Sequence, residues 1–252
     1  MQDRIPIFVF TCDRLKVLKQ SIASYKKIGT HVELVFYDVG STFQPTIDYL
    51  LELENSGYKI YRTSQRILSG SDLNNISYAI SDWYSNNDAP YYVVTDPDIE
   101  LDGDGYADIF KAYAYLLETM PDIEVVGPML RIDDLPSFYP LKEKVIERHF
   151  EQFWHKPPLS CNWNGRPLQY QHALIDTTFG MYRKGTEFKR LRSGLRTYAP
   201  YAARHLDWYI NPDMMTDDQI FYLRSATDVS HWGGTWLREK ILGEATPSTE
   251  TR

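Results

Sequence analysis

Residues 91–98 read YYVVTDPD. Tyr91 to Thr95 is a short run of strand-forming residues, set off by the turn chemistry of Asn86-Asn87-Asp88-Ala89-Pro90. Such a run marks a strand buried on both faces. It passes straight into Asp96-Pro97-Asp98. Residues two apart on an extended chain face the same way, so Asp96 and Asp98 present paired carboxylates at the strand end. Pro97 has no N–H for a sheet ladder, so a central strand stops there. The pair forms an incomplete oxygen cage for Mg²⁺ or Mn²⁺, which diphosphate oxygens and water would complete. The competing reading is a solvated acidic turn. An EF-hand loop starting at Asp98 is rejected, because Ile109 stands where the closing glutamate belongs.

Upstream, apolar runs alternate with helical patterns. Ile5 to Thr11 (IPIFVFT) reads as a first strand, and Leu15, Leu18, Ile22 and Tyr25 recur at helical spacing before Gly29. Val32 to Tyr37 is a second strand, and a helix from about Pro45 ends at Gly57. Tyr58 to Arg62 is a third strand, and Ser71 or Asp72 caps a helix running to Asn87. With Tyr91–Thr95 and a helix from Tyr106 to Met120, strand and helix alternate four times. This predicts an α/β fold with a mostly parallel twisted sheet and helices on both faces. Right-handed crossovers then gather the strand-end loops along one edge, where open α/β sheets bind ligands.

Downstream the pattern is irregular. A strand is expected over Glu124–Pro128, a helix over Leu141–Phe150, and a loop from His155 to Tyr170. Strands are expected within Ala173–Tyr182 and a short helix over Thr216–Ser225. No repeat or linker interrupts the chain. One domain over 1–252 is expected, with a donor-binding half to about 120, an acceptor-binding half over about 121–242 and a frayed tail over 243–252.

Composition limits the function. Of 252 residues, 43% are hydrophobic and 24% charged, enough to fill a core. A net charge of −7 argues against a nucleic-acid partner, which needs a basic surface. It does not exclude phosphate held through a cation. Nineteen tyrosines suit wet clefts as well as cores. Cys12 and Cys161 form no metal or redox motif. No signal peptide or spanning segment is apparent, so a cytoplasmic protein is expected, at most peripheral to the inner face of a membrane.

Three strand ends now fall in order: Thr11-Cys12-Asp13-Arg14, Asp38-Val39-Gly40-Ser41 and Asp96-Pro97-Asp98. Over about residues 5–105 this order resembles the GT-A glycosyltransferases. It is most similar to the large inverting family that includes cellulose, chitin and hyaluronan synthases and many capsule and lipopolysaccharide transferases. The resemblance implies a GT-A nucleotide-binding fold and a nucleotide-sugar donor, with UDP favoured. It implies a glycan or lipid-linked glycan acceptor and a Mn²⁺ or Mg²⁺ cofactor. Thr11 and Arg14 would lie near the nucleotide and Asp38 would hydrogen-bond the base. Asp98 would bind metal, with Asp96 touching ribose or metal.

The family also carries an acidic pair before a short helix, whose second member is the catalytic base. Here Asp217-Asp218 fits, followed by Arg224. The pair departs from the usual Glu-Asp, and both carboxylates would equally suit a helix start. The Gln-x-x-Arg-Trp motif and membrane helices of the processive synthases are missing from this sequence, which points to addition of one sugar or a short run. His231 is the expected late metal ligand, with His205 the runner-up. Asp176, in Asp176-Thr177-Thr178-Phe179-Gly180, is expected near the transferred sugar, and Trp163 and Trp208 stack on a pyranose or pack the core. The rivals are a sugar-nucleotidyltransferase, disfavoured because Thr11–Leu15 lacks its glycines, a retaining transferase of the same fold, and a non-catalytic carbohydrate-binding protein.

Overall fold

The computed structural model describes residues 4–29, 32–66, 72–101, 106–225 and 243. Strand β1 (Ile5–Thr11) is buried along its whole length. Its side chains alternate between two cores: Ile5, Ile7 and Val9 face one, Phe8 and Phe10 the other. A strand buried on both faces needs no polar alternation, which is why it reads as a continuous apolar run.

Helix α1 (Leu15–Lys26), β2 (Val32–Asp38), α2 (Gln44–Asn55), β3 (Lys59–Arg62), α3 (Ile76–Asn86) and β4 (Tyr91–Thr95) follow in turn. A 3-10 turn over Asp72–Asn75 precedes α3, so the α-helix starts later than its capping residues suggest. Strands β1 to β4 are all parallel. Helices α1 and α2, with the later α4 (Ile109–Thr119), cover one face through Leu18, Ile22, Leu50, Leu53, Tyr113 and Leu116. Helix α3 covers the other through Ile76, Ala79, Ile80 and Trp83.

The second half extends the same sheet. It contributes β6 (Val125–Pro128), α5 (Lys142–His149), β7 (Leu159–Trp163), β8 (Arg166–Ile175), β9 (Gly180–Arg183) and β10 (Arg192–Thr197). The order is β3-β2-β1-β4-β9-β6-β10-β8-β7, nine strands in all. β9 runs antiparallel to β4 and β6, β10 parallel to β6, and β8 antiparallel to β10. The mostly parallel sheet expected for the chain thus describes its first half, and the second half is mixed. A two-strand ribbon pairs β5 (Ile99–Glu100) with β11 (Arg204–His205), and α6 (Asp217–Ser225) closes the described chain.

One expectation is corrected outright. Residues 155–170, expected as loop, contain β7 and the first half of β8, paired from Leu159↔Tyr170 to Trp163↔Arg166. Asn164-Gly165 joins them with φ of 52° and 77°, both in the left-handed region. That is the turn an Asn-Gly pair makes between antiparallel strands. Leu159, Ser160 and Asn162 are exposed, so this edge hairpin has no apolar run to announce it. Farther in, Gly194 of β10 lies so close to β6 that an added Cβ would stand 2.3 Å from the Val125 carbonyl oxygen.

Candidate functional site

The site is built where the parallel strands end. Asp13, just past β1, has φ 55° and a fully buried side chain. Its carboxylate accepts the Thr42 N–H at 2.5 Å and the Phe43 N–H at 2.6 Å, and pairs with Arg66. It therefore serves the orphan donors at the start of α2 from another loop. Gly40 (φ 80°) lets the second loop pass under Arg66, whose backbone nitrogen would meet a Cβ at 2.9 Å. Ser41 ties the loops together: its N–H donates to Asp38 at 3.0 Å and its hydroxyl accepts the Asp13 N–H at 3.0 Å. Burial raises the Asp38 carboxyl above its usual range, against the opposing Ser41 hydrogen bonds.

The loop after β4 is held from below by α1. The Ser21 hydroxyl donates to the Pro97 carbonyl at 2.8 Å and the Tyr25 hydroxyl to the Ile99 carbonyl at 2.6 Å. Asp96 is tied to Thr177 twice: its N–H donates to the Thr177 carbonyl at 2.7 Å, and its carboxylate accepts the Thr177 hydroxyl. Burial, with the charges of Asp98 and Asp176, raises its carboxyl well above the usual range. The β5–β11 ribbon then brings residues far away in sequence against this loop. Ile99 pairs with His205, and the Leu206 N–H donates to the Asp98 carbonyl at 2.7 Å. Asp98, His205 and Asp207 consequently converge, with one ligating atom from each within 4.8 Å of the others. His205 Nδ1 lies 3.3 Å from Asp98 Oδ2.

Arg14 joins both carboxylates, at 3.1 Å to Asp98 and in a short contact to Asp207, and its guanidinium lies 4.7 Å from the Tyr222 ring centre. Burial opposes its charge, but the two aspartates outweigh burial and hold Arg14 firmly protonated. Burial likewise opposes ionisation of Asp98, and Arg14 and His205 more than offset it. Asp98 Oδ1 is buried and has no hydrogen-bond partner among the described residues. A buried carboxylate oxygen with an unused lone pair, beside an imidazole and a second carboxylate, fits a divalent cation.

These residues open onto a cavity of about 600 Å³. Thr11, Arg14, Asp96, Asp98, Asp176, His205 and Asp207 all line it. Asp38 does not, although its neighbour Val39 does. Asp176 is gripped by Arg190, with bonds of 2.7 and 3.1 Å. Trp163 and Trp208 are buried core residues, 5% and 0% exposed, although Trp208 also borders the cavity.

Asp217 and Asp218 begin α6, and neither borders the large cavity. Asp218 accepts the Lys16 N–H at 2.8 Å and the Thr216 hydroxyl at 2.6 Å. It thus caps α1 from a distance. His231 lies outside the described residues. Asp207, which no sequence motif singled out, joins the acidic group because β11 pairs with β5. Nothing in the local sequence announces so short a ribbon.

No family model matches the chain. A curated protein of Acanthamoeba polyphaga mimivirus, the uncharacterized protein L138, is 24% identical over 139 residues, covering 54% of this chain and 15% of that protein. Among solved structures, TarS residues 1–349 of S. aureus in complex with UDP matches 95% of this chain and 70% of its own, at 13% identity and a TM-score of 0.47. The mannosyltransferase PcManGT of Pyrobaculum calidifontis, in complex with GDP-Man and Mn²⁺, matches 52% of this chain and 36% of its own, at 16% identity and a TM-score of 0.39. The chain thus spans well under two thirds of both the mimivirus protein and the mannosyltransferase. The superpositions, below 0.5, are partial.

Proposed function

We propose that the chain is a metal-dependent glycosyltransferase that moves a sugar from a nucleoside diphosphate sugar, with UDP favoured, to a hydroxyl of a glycan or glycolipid acceptor. The observation that carries this reading is the convergence of Asp98, His205 and Asp207 at the ligand edge of a parallel sheet, with Asp98 Oδ1 buried and unpartnered. These three residues would hold the ion. Two carboxylates and an imidazole suit Mn²⁺ at least as well as Mg²⁺, which prefers oxygen alone. When bound, the ion neutralises charge on the departing diphosphate.

The remaining roles fall to the chain's own groups. Thr11 borders the cavity at the end of β1, where its buried Oγ1 has no partner among the described residues, and it faces the nucleotide. Asp38 shapes the base pocket through the Ser41 turn and places Val39 against the base. Asp96, fixed by Thr177, faces the ribose. Arg14 pairs with Asp98 and Asp207 and aligns them. A proton acceptor for the acceptor hydroxyl has to reach the cavity. Asp218, turned toward α1, is therefore assigned to positioning. Of the four cavity carboxylates, Asp176 is the one left for the proton, and displacement from the face opposite the diphosphate gives inversion.

The test is a thermal-shift screen of UDP-, GDP- and dTDP-sugars with Mn²⁺ or with EDTA, followed by a transfer assay on the stabilising donor. Stabilisation by one nucleotide class that EDTA abolishes is expected. Equal stabilisation in EDTA, or none by any nucleotide, would remove the basis of this reading.

A further inference from the structure

The cavity has a buried cationic centre apart from the Asp98, His205 and Asp207 group. Arg196 of β10 is 4% exposed, yet it borders the cavity. Its Nε donates to the Leu174 carbonyl at 3.0 Å and its Nη1 to the Pro128 carbonyl at 2.8 Å and to Thr178 Oγ1 at 3.2 Å. The Phe153 ring lies 5.1 Å from its guanidinium carbon. Among the described residues no carboxylate comes within ion-pair distance of it, and Asp176, the nearest in effect, is already gripped by Arg190. Neutral partners orient a guanidinium without cancelling its charge, and a buried charge is ordinarily paired. Burial pulls Arg196 down to about 10 against the opposing charge of Asp176, and its field helps burial hold the adjacent His149 neutral, down to about 3.

In the sheet order β4-β9-β6-β10, β10 lies three strands from β4, which at strand spacing is about 14 Å. The cavity lining also includes Arg148, Lys156 and His172, and its described carboxylates are Asp96, Asp98, Asp176 and Asp207. A protein of net charge −7 thus places several cationic side chains along this cavity.

We propose that Arg196, with Lys156 and His172 at the mouth, is a subsite for an anionic group, a phosphate or carboxylate, carried by the acceptor. With Nε and Nη1 held by Leu174, Pro128 and Thr178, the Nη2 donors are the ones left for either group. The assignment to the acceptor rests on the glycosyl-transfer reading, whereas the anion site itself does not.

The experiment titrates inorganic phosphate into the full chain by calorimetry, with and without saturating UDP and Mn²⁺. It compares wild type with Arg196→Gln, Arg196→Lys and the double variant Lys156→Gln/His172→Gln. Phosphate should bind wild type in both conditions, since UDP leaves this subsite open. Arg196→Gln should weaken phosphate about tenfold or more, Arg196→Lys less, and UDP affinity should stay within about twofold. Should Arg196→Gln fail to fold, weaker phosphate binding by the mouth variant, whose residues are exposed, carries the same conclusion. Phosphate binding unchanged in both variants, or abolished by UDP, overturns the subsite. Phosphate binding that depends on Arg196 in a chain that binds no nucleotide would keep the anion site and discard the transfer reading. UDP-glucuronate and UDP-glucose separate the two sources of the anion. Equal loss of transfer from both donors in Arg196→Gln, with both donor affinities kept, supports an acceptor anion, and selective loss of UDP-glucuronate binding overturns that assignment in favour of an acidic sugar.

Discussion

Single carboxylates in this chain do two kinds of work, and their surroundings tell them apart. Asp13 and Asp218 are buried against backbone N–H groups and serve as caps for α2 and α1. Asp218→Ala should cost about 0.5–2 kcal/mol, the ordinary effect of losing a cap. It should lower Tm while leaving kcat within about threefold, since cap loss leaves the cavity groups in place. A loss of turnover at unchanged Tm would return Asp218 to the catalytic role its motif suggested. Asp176 faces the cavity, and Asp176→Asn should reduce kcat by about 10²–10⁴-fold with donor KM little changed. Steady-state kinetics on the two variants decide between them. Thr11, Asp96, Asp98 and the acidic pair were all visible from sequence as polar residues at strand or helix ends. What each one faces was not, because a strand end looks the same whether it meets a cavity or a neighbouring helix.

Elements were legible in proportion to how fully they are buried. β1, β2 and β4 lie deep in the sheet and read directly as apolar runs. The β7–β8 hairpin at the far edge was missed, although Asn164-Gly165 named its turn. With exposed polar residues along β7, periodicity gave no support to that turn. The β5–β11 ribbon, two residues a side, lies below any pattern, yet it delivers His205 and Asp207. Gly165→Ala forces an alanine to φ 77° and should cost about 1 kcal/mol or more. Gly194→Ala pushes a methyl against the Val125 carbonyl and should cost about 1–3 kcal/mol through overpacking. For a chain of this size each kcal/mol lowers Tm by about 2–4 °C, so differential scanning fluorimetry resolves both. No change in Tm for Gly194→Ala would mean that β6 and β10 are not packed this closely.

At the scale of the molecule, one sheet carries both the proposed donor edge and, on β10, Arg196 of the proposed anion subsite. That continuity predicts one cooperative unfolding transition, raised as a unit by ligand, and two separate transitions would contradict it. No helix among the described residues is long and apolar enough to cross a membrane. The central claim is that Asp98, His205 and Asp207 hold a divalent ion that a nucleoside diphosphate completes. The most direct test is calorimetric titration of UDP into wild type, Asp98→Asn and His205→Ala, each with Mn²⁺ and again with EDTA. Wild type should bind UDP with Mn²⁺ and lose about tenfold or more of that affinity in EDTA, and both variants should bind weakly in either condition. UDP affinity that is the same with Mn²⁺ and EDTA, or that survives intact in Asp98→Asn, would contradict it.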